Sequence, residues 1–218
     1  MYDVEYLTVA GQFMENCYAV IHPESREALI IDPGGNETEI IDWIAELNIQ
    51  PIAILLTHAH SDHIGAVDAL RDEYGILLYV YYLESDHLTN PRLNLSALYP
   101  GEEITVRPAD IAWVEPDLTY QQIGPFYFEM GFAPGHSPGH VIFKFLESGF
   151  VISGDVIFQG SIGRTDLPGG DTERLMQSIR EEIYTLPDET VLYPGHGSQT
   201  TVAHEKQTNP FNRMIFGN

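Results

Sequence analysis

Basic side chains are scarce in this chain. Its 218 residues hold 10 Lys and Arg against 32 Asp and Glu, for a formal net charge of −22, and the only lysines are Lys144 and Lys206. Binding to nucleic-acid phosphates or anionic lipid headgroups depends on clustered Lys and Arg. No such cluster is present, so nucleic acid and membrane surfaces are excluded as partners. Cysteine is nearly absent too: Cys17 stands alone, and no intrachain disulfide can form. It lies in the strand-like run Asn16-Cys17-Tyr18-Ala19-Val20-Ile21, where a buried inert thiol fits better than a nucleophile. Long apolar runs are missing, none reaching the roughly 18 residues that span a bilayer. The opening Met1-Tyr2-Asp3-Val4-Glu5 is acidic where a secretory signal is basic and then apolar. A cytoplasmic protein is expected. What is present suffices for a core: 44% of residues are hydrophobic and 11% aromatic, and the length suits a single domain spanning residues 1–218.

Turn and pattern signals organise the chain. Val4–Val9, Cys17–Ile21 and Ala28–Ile31 are rich in β-branched and aromatic residues and predict strands. Asp32-Pro33-Gly34-Gly35 is a turn signal. Asn36, with Glu39 three positions on, predicts a capping box for a helix whose apolar stripe is Ile40, Ile41, Ile44 and Leu47. Ile52–Leu56 reads as a buried strand, followed by a polar segment and then a helix with Ile64, Val67, Ala69 and Leu70 toward the core. The second half repeats this texture, with strands over Phe126–Phe132, Val141–Leu146, Phe150–Ser153 and Val191–Tyr193 and a helix from about Asp171 to Ile183. Residues 84–125 carry scattered prolines and no clear period. Groups of strands with helices between them fit sheet-on-sheet packing with outer helices.

The polar segment after Leu56 is Thr57-His58-Ala59-His60-Ser61-Asp62-His63. Residues two apart on extended backbone point the same way, so His58 and His60 can converge on one ion. Where the chain turns into the helix, Asp62 and His63 can converge on a second. Imidazole and carboxylate are ligands shared by zinc, iron and manganese. A solvated turn at a helix N-terminus explains Asp62 and none of the three histidines. The second half offers further donors just past apolar strands: His136 in Pro134-Gly135-His136, Asp155 in Ser153-Gly154-Asp155, and His196 in Pro194-Gly195-His196. Together these are seven candidate ligands, enough for two ions bridged by one carboxylate.

With these motifs in order behind Ile31-Asp32-Pro33-Gly34, the chain resembles the metallo-β-lactamase superfamily over nearly its whole length. Within it the nearest likeness is to glyoxalase II-like thioester hydrolases, through Pro134–His140, Gly160-Ser161-Ile162-Gly163-Arg164-Thr165-Asp166 and Glu205-Lys206-Gln207-Thr208-Asn209-Pro210-Phe211. The chain stops about twenty residues after His196, too soon for the C-terminal helical region of typical glyoxalase II enzymes, so the likeness is to the short bacterial branch. The resemblance implies an α+β fold, a four-layer αββα sandwich with the site along one edge of two sheets. It implies that His58, His60 and His136 hold one metal and that Asp62, His63 and His196 hold the other, with Asp155 bridging. Asp32 is expected to support its turn or a ligand.

The resemblance implies a small-molecule thioester substrate such as S-lactoylglutathione: two divalent ions about 3.5–4 Å apart would lower the pKa of a shared water, and the resulting hydroxide would attack the thioester carbonyl. Asp62 orients that hydroxide, and the thiol, with a pKa near 8.5, leaves without a dedicated acid. Zinc is the first expectation for both ions, with iron and manganese also suited. Lys206 is a candidate contact for a substrate anion, while Arg164 is expected to pair with a carboxylate such as Asp166. Three alternatives stay open: a mononuclear iron persulfide dioxygenase using His58, His136 and Asp155; a lactonase or β-lactamase, since activated carbonyls share this chemistry; and a non-catalytic metal-binding module. The oligomeric state is not specified by the sequence.

Overall fold

The computed structural model describes residues 1–10, 13–114 and 120–217. These fall into two compact units, the described residues of Met1–Val114 with Ile123–Phe126 in one, and residues 120–122 with the described chain from Tyr127 onward in the other.

The first unit is built on a six-stranded sheet whose strands lie in chain order: β1 (Asp3–Ala10), β2 (Met14–Ile21), β3 (Glu27–Ile31), β4 (Gln50–Leu55), β5 (Leu77–Tyr81) and β6 (Ile111–Trp113). β1 to β3 are antiparallel, and β3 to β6 run parallel. Parallel neighbours require crossovers, supplied by α1 (Glu37–Glu46) between β3 and β4, and by α2 (Ser61–Ile64) and α3 (Val67–Tyr74) between β4 and β5. Strands covered on both faces read as continuous apolar runs rather than alternating ones, and β2 and β3 are buried almost throughout. Ile40 and Ile44 of α1 and Val67 and Leu70 of α3 pack with Ile30, Ile54, Leu78 and Val80 in one fully buried cluster.

Two local expectations are corrected here. Asn36 does not form a capping box: it takes a left-handed conformation with φ 52°, its side chain caps no helix N–H, and it bonds instead to the Glu39 carboxylate. The tight turn from Asp32 needs that left-handed residue, which Asn tolerates. The helix after the polar segment is also not continuous. Gly65 N–H donates to Gly34 O at 3.1 Å and Ala66 N–H to Pro33 O at 2.9 Å, so the ladder breaks between α2 and α3.

The second sheet has the order β14-β13-β10-β9-β8-β7, with β7 (Tyr120–Ile123), β8 (Phe126–Phe132), β9 (Val141–Phe145), β10 (Phe150–Gly154), β13 (Val191–Pro194) and β14 (Thr200–Thr201). A small hairpin of β11 (Ile157–Phe158) and β12 (Ser161–Ile162) follows β10. α4 (Thr172–Ser178) is capped by Asp171, which accepts from Arg174 N–H at 3.0 Å, and it widens into a π turn over Ile179–Ile183. Leu175, Met176, Ile179 and Ile183 pack with Ile142, Val151, Leu192 and, from α5 (Val202–Thr208), Val202. Ile215 of α6 (Asn212–Phe216) closes this cluster. Among the described residues, no helix is long and apolar enough to cross a membrane.

Candidate metal centre

Parallel sheets bind ligands at the carboxyl ends of their strands, and in the first unit β3, β4 and β5 end side by side. Asp32 follows β3, the Thr57–His60 segment follows β4, and Glu84 sits on the 3₁₀ segment Tyr82–Thr89 that follows β5. All are buried. His58 Nε2 and His60 Nδ1 approach to 3.1 Å. Two imidazole nitrogens held tetrahedrally at about 2.0–2.1 Å from one zinc ion lie about 3.3 Å apart, so this pair already has the spacing of a two-ligand bite.

The second nitrogens of His58 and His63 are placed by partners, as metal-binding histidines require. Asp32 organises most of this. Its carboxylate accepts from Thr57 N–H at 2.7 Å and Thr57 Oγ1 at 2.6 Å, and from His63 Nδ1 at 3.1 Å, which leaves His63 Nε2 available as a ligand. Thr57 Oγ1 is also 3.1 Å from His58 Nδ1. One donor atom each from Asp32, His58 and His63 lies within 4.8 Å of the others. Asp62 occupies the first turn of α2 and is half-buried. Its backbone runs against Gly34 so closely that a Cβ there would fall 1.8 Å from Asp62 O and 2.6 Å from Glu15 Oε2. Only glycine fits, and the turn after β3 can therefore lie flat against α2.

The second unit gathers the other three predicted ligands. Asp155 follows β10 and His196 follows its parallel neighbour β13, while His136 lies just past β8. Asp155 Oδ2 is 3.4 Å from His136 Nε2 and 3.4 Å from His196 Nε2. One carboxylate oxygen between two imidazole nitrogens is the placement a bridging ligand needs. His136 Nδ1 is 2.9 Å from Arg164 O, which fixes its tautomer and turns Nε2 toward Asp155. The Asp155 N–H donates to His140 Nε2 at 3.0 Å, so His140 holds the backbone of a candidate ligand from behind. Arg164 pairs with Asp166 at 2.8 and 2.9 Å as expected, and the guanidinium holds the Asp166 carboxyl down at about 2.

The terminal Glu205–Phe211 segment also acquires a physical role. Glu205, fully buried, accepts from Thr200 Oγ1 at 2.6 Å, Gly160 N–H at 3.0 Å and Asn209 Nδ2 at 2.8 Å, and Asn209 donates to Ser161 O at 3.0 Å. It thereby braces the β11–β12 hairpin that leads to Arg164. Lys206 is engaged elsewhere, donating to Asp188 at 2.8 Å.

Donors of this kind, three imidazoles and an aspartate in one unit and two imidazoles and an aspartate in the other, suit zinc or iron. The family model for the metallo-β-lactamase superfamily matches residues 10–196. The chain belongs to the metallo-β-lactamase superfamily. Its mixed α/β architecture with two large sheets is that fold, as expected from the sequence. A probable metallo-hydrolase of Bacillus subtilis, YqgX, is 46% identical over 92% of this chain and 93% of its own. The hydroxyacylglutathione hydrolase GloC of Haemophilus influenzae is 36% identical over 96% and 97%. Among solved structures, the BLEG-1 B3 metallo-β-lactamase superposes with a TM-score of 0.92 at 42% identity, covering 96% of this chain and 99% of that one. TTHA1623 in a di-iron-bound form superposes with a TM-score of 0.83 at 37% identity, covering 95% and 99%. The chain is thus a metallo-hydrolase of this superfamily with a His and Asp metal-binding set. Sequence reasoning missed Glu15 and Glu84, both fully buried near the histidine motif. The signal for Glu15 was an acid in an otherwise strand-like run; Glu84 lies in the stretch without a period.

Proposed function

We propose that this protein is a cytoplasmic, binuclear metal-dependent hydrolase of small-molecule thioesters, working as a single domain. In this reading His58, His60 and His136 would hold one ion and Asp62, His63 and His196 the other, with Asp155 shared between them. The observation that carries it is the placement of Asp155 Oδ2 at 3.4 Å from both His136 Nε2 and His196 Nε2. A mononuclear iron site has no use for His196 in that position. The thioester assignment leans on the likeness to GloC. Two such ions supply Lewis acidity for a carbonyl and bring the pKa of bound water toward neutrality. The chain's own groups do the rest. Asp32 and the Arg164 carbonyl hold His63 and His136 in the tautomers that present Nε2. Asp62, half-buried, accepts a hydrogen bond from the attacking water and sets its direction. A thiolate of pKa near 8.5 departs unaided, so no residue needs to serve as acid. Zinc is the first choice of ion, and the di-iron form of TTHA1623 makes iron the competitor.

A second reading, β-lactam hydrolysis, is favoured by the likeness to BLEG-1. The test is a parallel assay of S-lactoylglutathione, other acyl thioesters, lactones, a chromogenic cephalosporin and a persulfide, with ion content measured on the same sample. Thioester turnover with about two ions per chain, reduced at least a hundredfold by His196→Ala, is expected. Faster cephalosporin turnover selects the second reading. One iron per chain with persulfide-dependent oxygen uptake, unharmed by His196→Ala, refutes both.

A further inference from the structure

We propose that Glu84 is the positioning residue for the His58 and His60 pair, acting through the backbone between them. Glu84 is fully buried and follows β5 directly, at the edge where the histidine motif follows the adjacent β4. Its Oε2 accepts a hydrogen bond from Ala59 N–H at 3.0 Å. Ala59 separates the two histidines, so this bond fixes the peptide plane between His58 and Ala59. That plane sets the direction in which the flanking side chains leave the backbone, and so whether their rings meet. The observed result is the 3.1 Å approach of His58 Nε2 to His60 Nδ1.

A buried carboxylate is costly unless hydrogen-bonded, and helix, sheet or a water could have served one loop amide. Here the acceptor is a charged side chain. His87, one turn further along the same segment, keeps its Nδ1 3.9 Å from Glu84 Oε2, beyond hydrogen-bonding range. The arrangement mirrors that of Asp32, which holds Thr57 N–H from the strand on the other side of β4. Two carboxylates, one from each flanking strand end, thus pin alternate amides of the ligand segment. Groups behind a metal ligand typically carry a 10–100-fold share of its affinity.

This inference rests on the metal-ligand assignment above, and the experiment separates the two. Wild-type protein, Glu84→Gln and Glu84→Met are stripped with a chelator and titrated with cobalt(II), reading the visible absorption bands and the dissociation constants by competition. Gln keeps an acceptor oxygen at the same reach and is expected to bind within about threefold of wild type. Met keeps the volume and loses the acceptor, and is expected to bind about 10–100-fold more weakly with an altered band pattern. Met binding with wild-type affinity and spectrum overturns the proposal, and so does Gln failing as badly as Met. A purely structural role would lower the melting temperature of both states and leave the cobalt spectrum unchanged. Should Glu84→Met not fold, hydrogen exchange on the unmodified protein decides: the Ala59 amide exchanging as fast as an open loop overturns the proposal, and strong protection supports it. Wild-type protein that takes up no cobalt refutes the metal-ligand assignment itself; wild-type uptake with an unaffected Met variant refutes only the role of Glu84.

Discussion

Replacing Asp32 by asparagine separates the support of the fold from the support of a ligand. Asp32 is 1% exposed and accepts from Thr57 N–H, Thr57 Oγ1 and His63 Nδ1. Asp32→Ala removes the acceptor of all three hydrogen bonds, and buried donors left unsatisfied cost about 1–3 kcal/mol each. The total, about 5 kcal/mol, rivals the whole stability of a domain, about 5–15 kcal/mol, and would confuse unfolding with loss of function. Asparagine fills the same volume, tolerates the left-handed φ of 51°, and can still accept from Thr57 N–H. Exchanging charge-assisted bonds for neutral ones costs about 1 kcal/mol apiece, so about 2–3 kcal/mol in all. The decisive change is at His63. The new amide NH₂ donates where a carboxylate accepted, so His63 Nδ1 must turn from donor to acceptor. The proton then sits on Nε2, on the nitrogen that would hold the ion. Asp32→Asn should therefore stay folded at room temperature, shift its urea midpoint modestly, and bind the ion at His63 about 10–100-fold more weakly. The assay is urea unfolding beside zinc titration against a chromogenic chelator. Wild-type affinity for both ions in a folded Asp32→Asn would refute the reasoning.

Two further outcomes follow from close packing. A Cβ on Gly163 would fall 1.9 Å from Asp155 O and 3.2 Å from His136 Cβ, so Gly163→Ala must push the hairpin off the strand end; we expect a loss of about 1–3 kcal/mol and fewer bound ions per chain, with unchanged far-ultraviolet circular dichroism, and full ion occupancy would contradict this. Cys17 is fully buried, and burial, with Glu15 and Asp32 adding to it, pushes its thiol well above the ordinary value. A disulfide reagent at pH 8 should react with it about a thousandfold more slowly in native protein than in denaturant, since reaction must await opening of a β2 held by a domain's stability; fast labelling of the native state would show that β2 is not closed over it.

The histidine motif was legible because its chemistry is local: alternation along an extended segment puts His58 and His60 on the same side of the backbone. His136, Asp155 and His196 were legible through a coarser signal, a polar donor just beyond an apolar strand, and the second unit does bring them to one point. Of the supports, Asp32 was legible from its place at the turn after β3, but Glu84 and the Arg164 carbonyl were not, because each acts on a partner distant in the chain. Glu84 meets Ala59 across 25 positions, and His136 meets the Arg164 carbonyl across 28. No side-chain pattern announces a backbone acceptor. The failed capping box at Asn36 has the same origin. Its sequence suits a cap, but the turn that presses Gly34 against Asp62 needed a left-handed residue there more. The broken helix after His63 likewise answers to carbonyls of Pro33 and Gly34, about thirty residues upstream.

The exposed loops and the buried strand ends of the first unit have different freedoms to change. Phe13, Leu93 and Leu98 are exposed, Phe13 stacks edge-on with Tyr99 at 5.1 Å, and Asn94 O ties this loop to the start of α2 through Ser61 N–H at 2.9 Å. The ligand segment, by contrast, is gripped from behind, through amides and the rear nitrogens of rings. A lineage can rewrite what faces the solvent and so exchange one clientele of carbonyl compounds for another, while the buried carboxylates keep the histidines where they were. Surface loops tolerate such change far better than strand ends do. Relatives of similar sequence and fold that are named for different substrates are what this division of labour would produce.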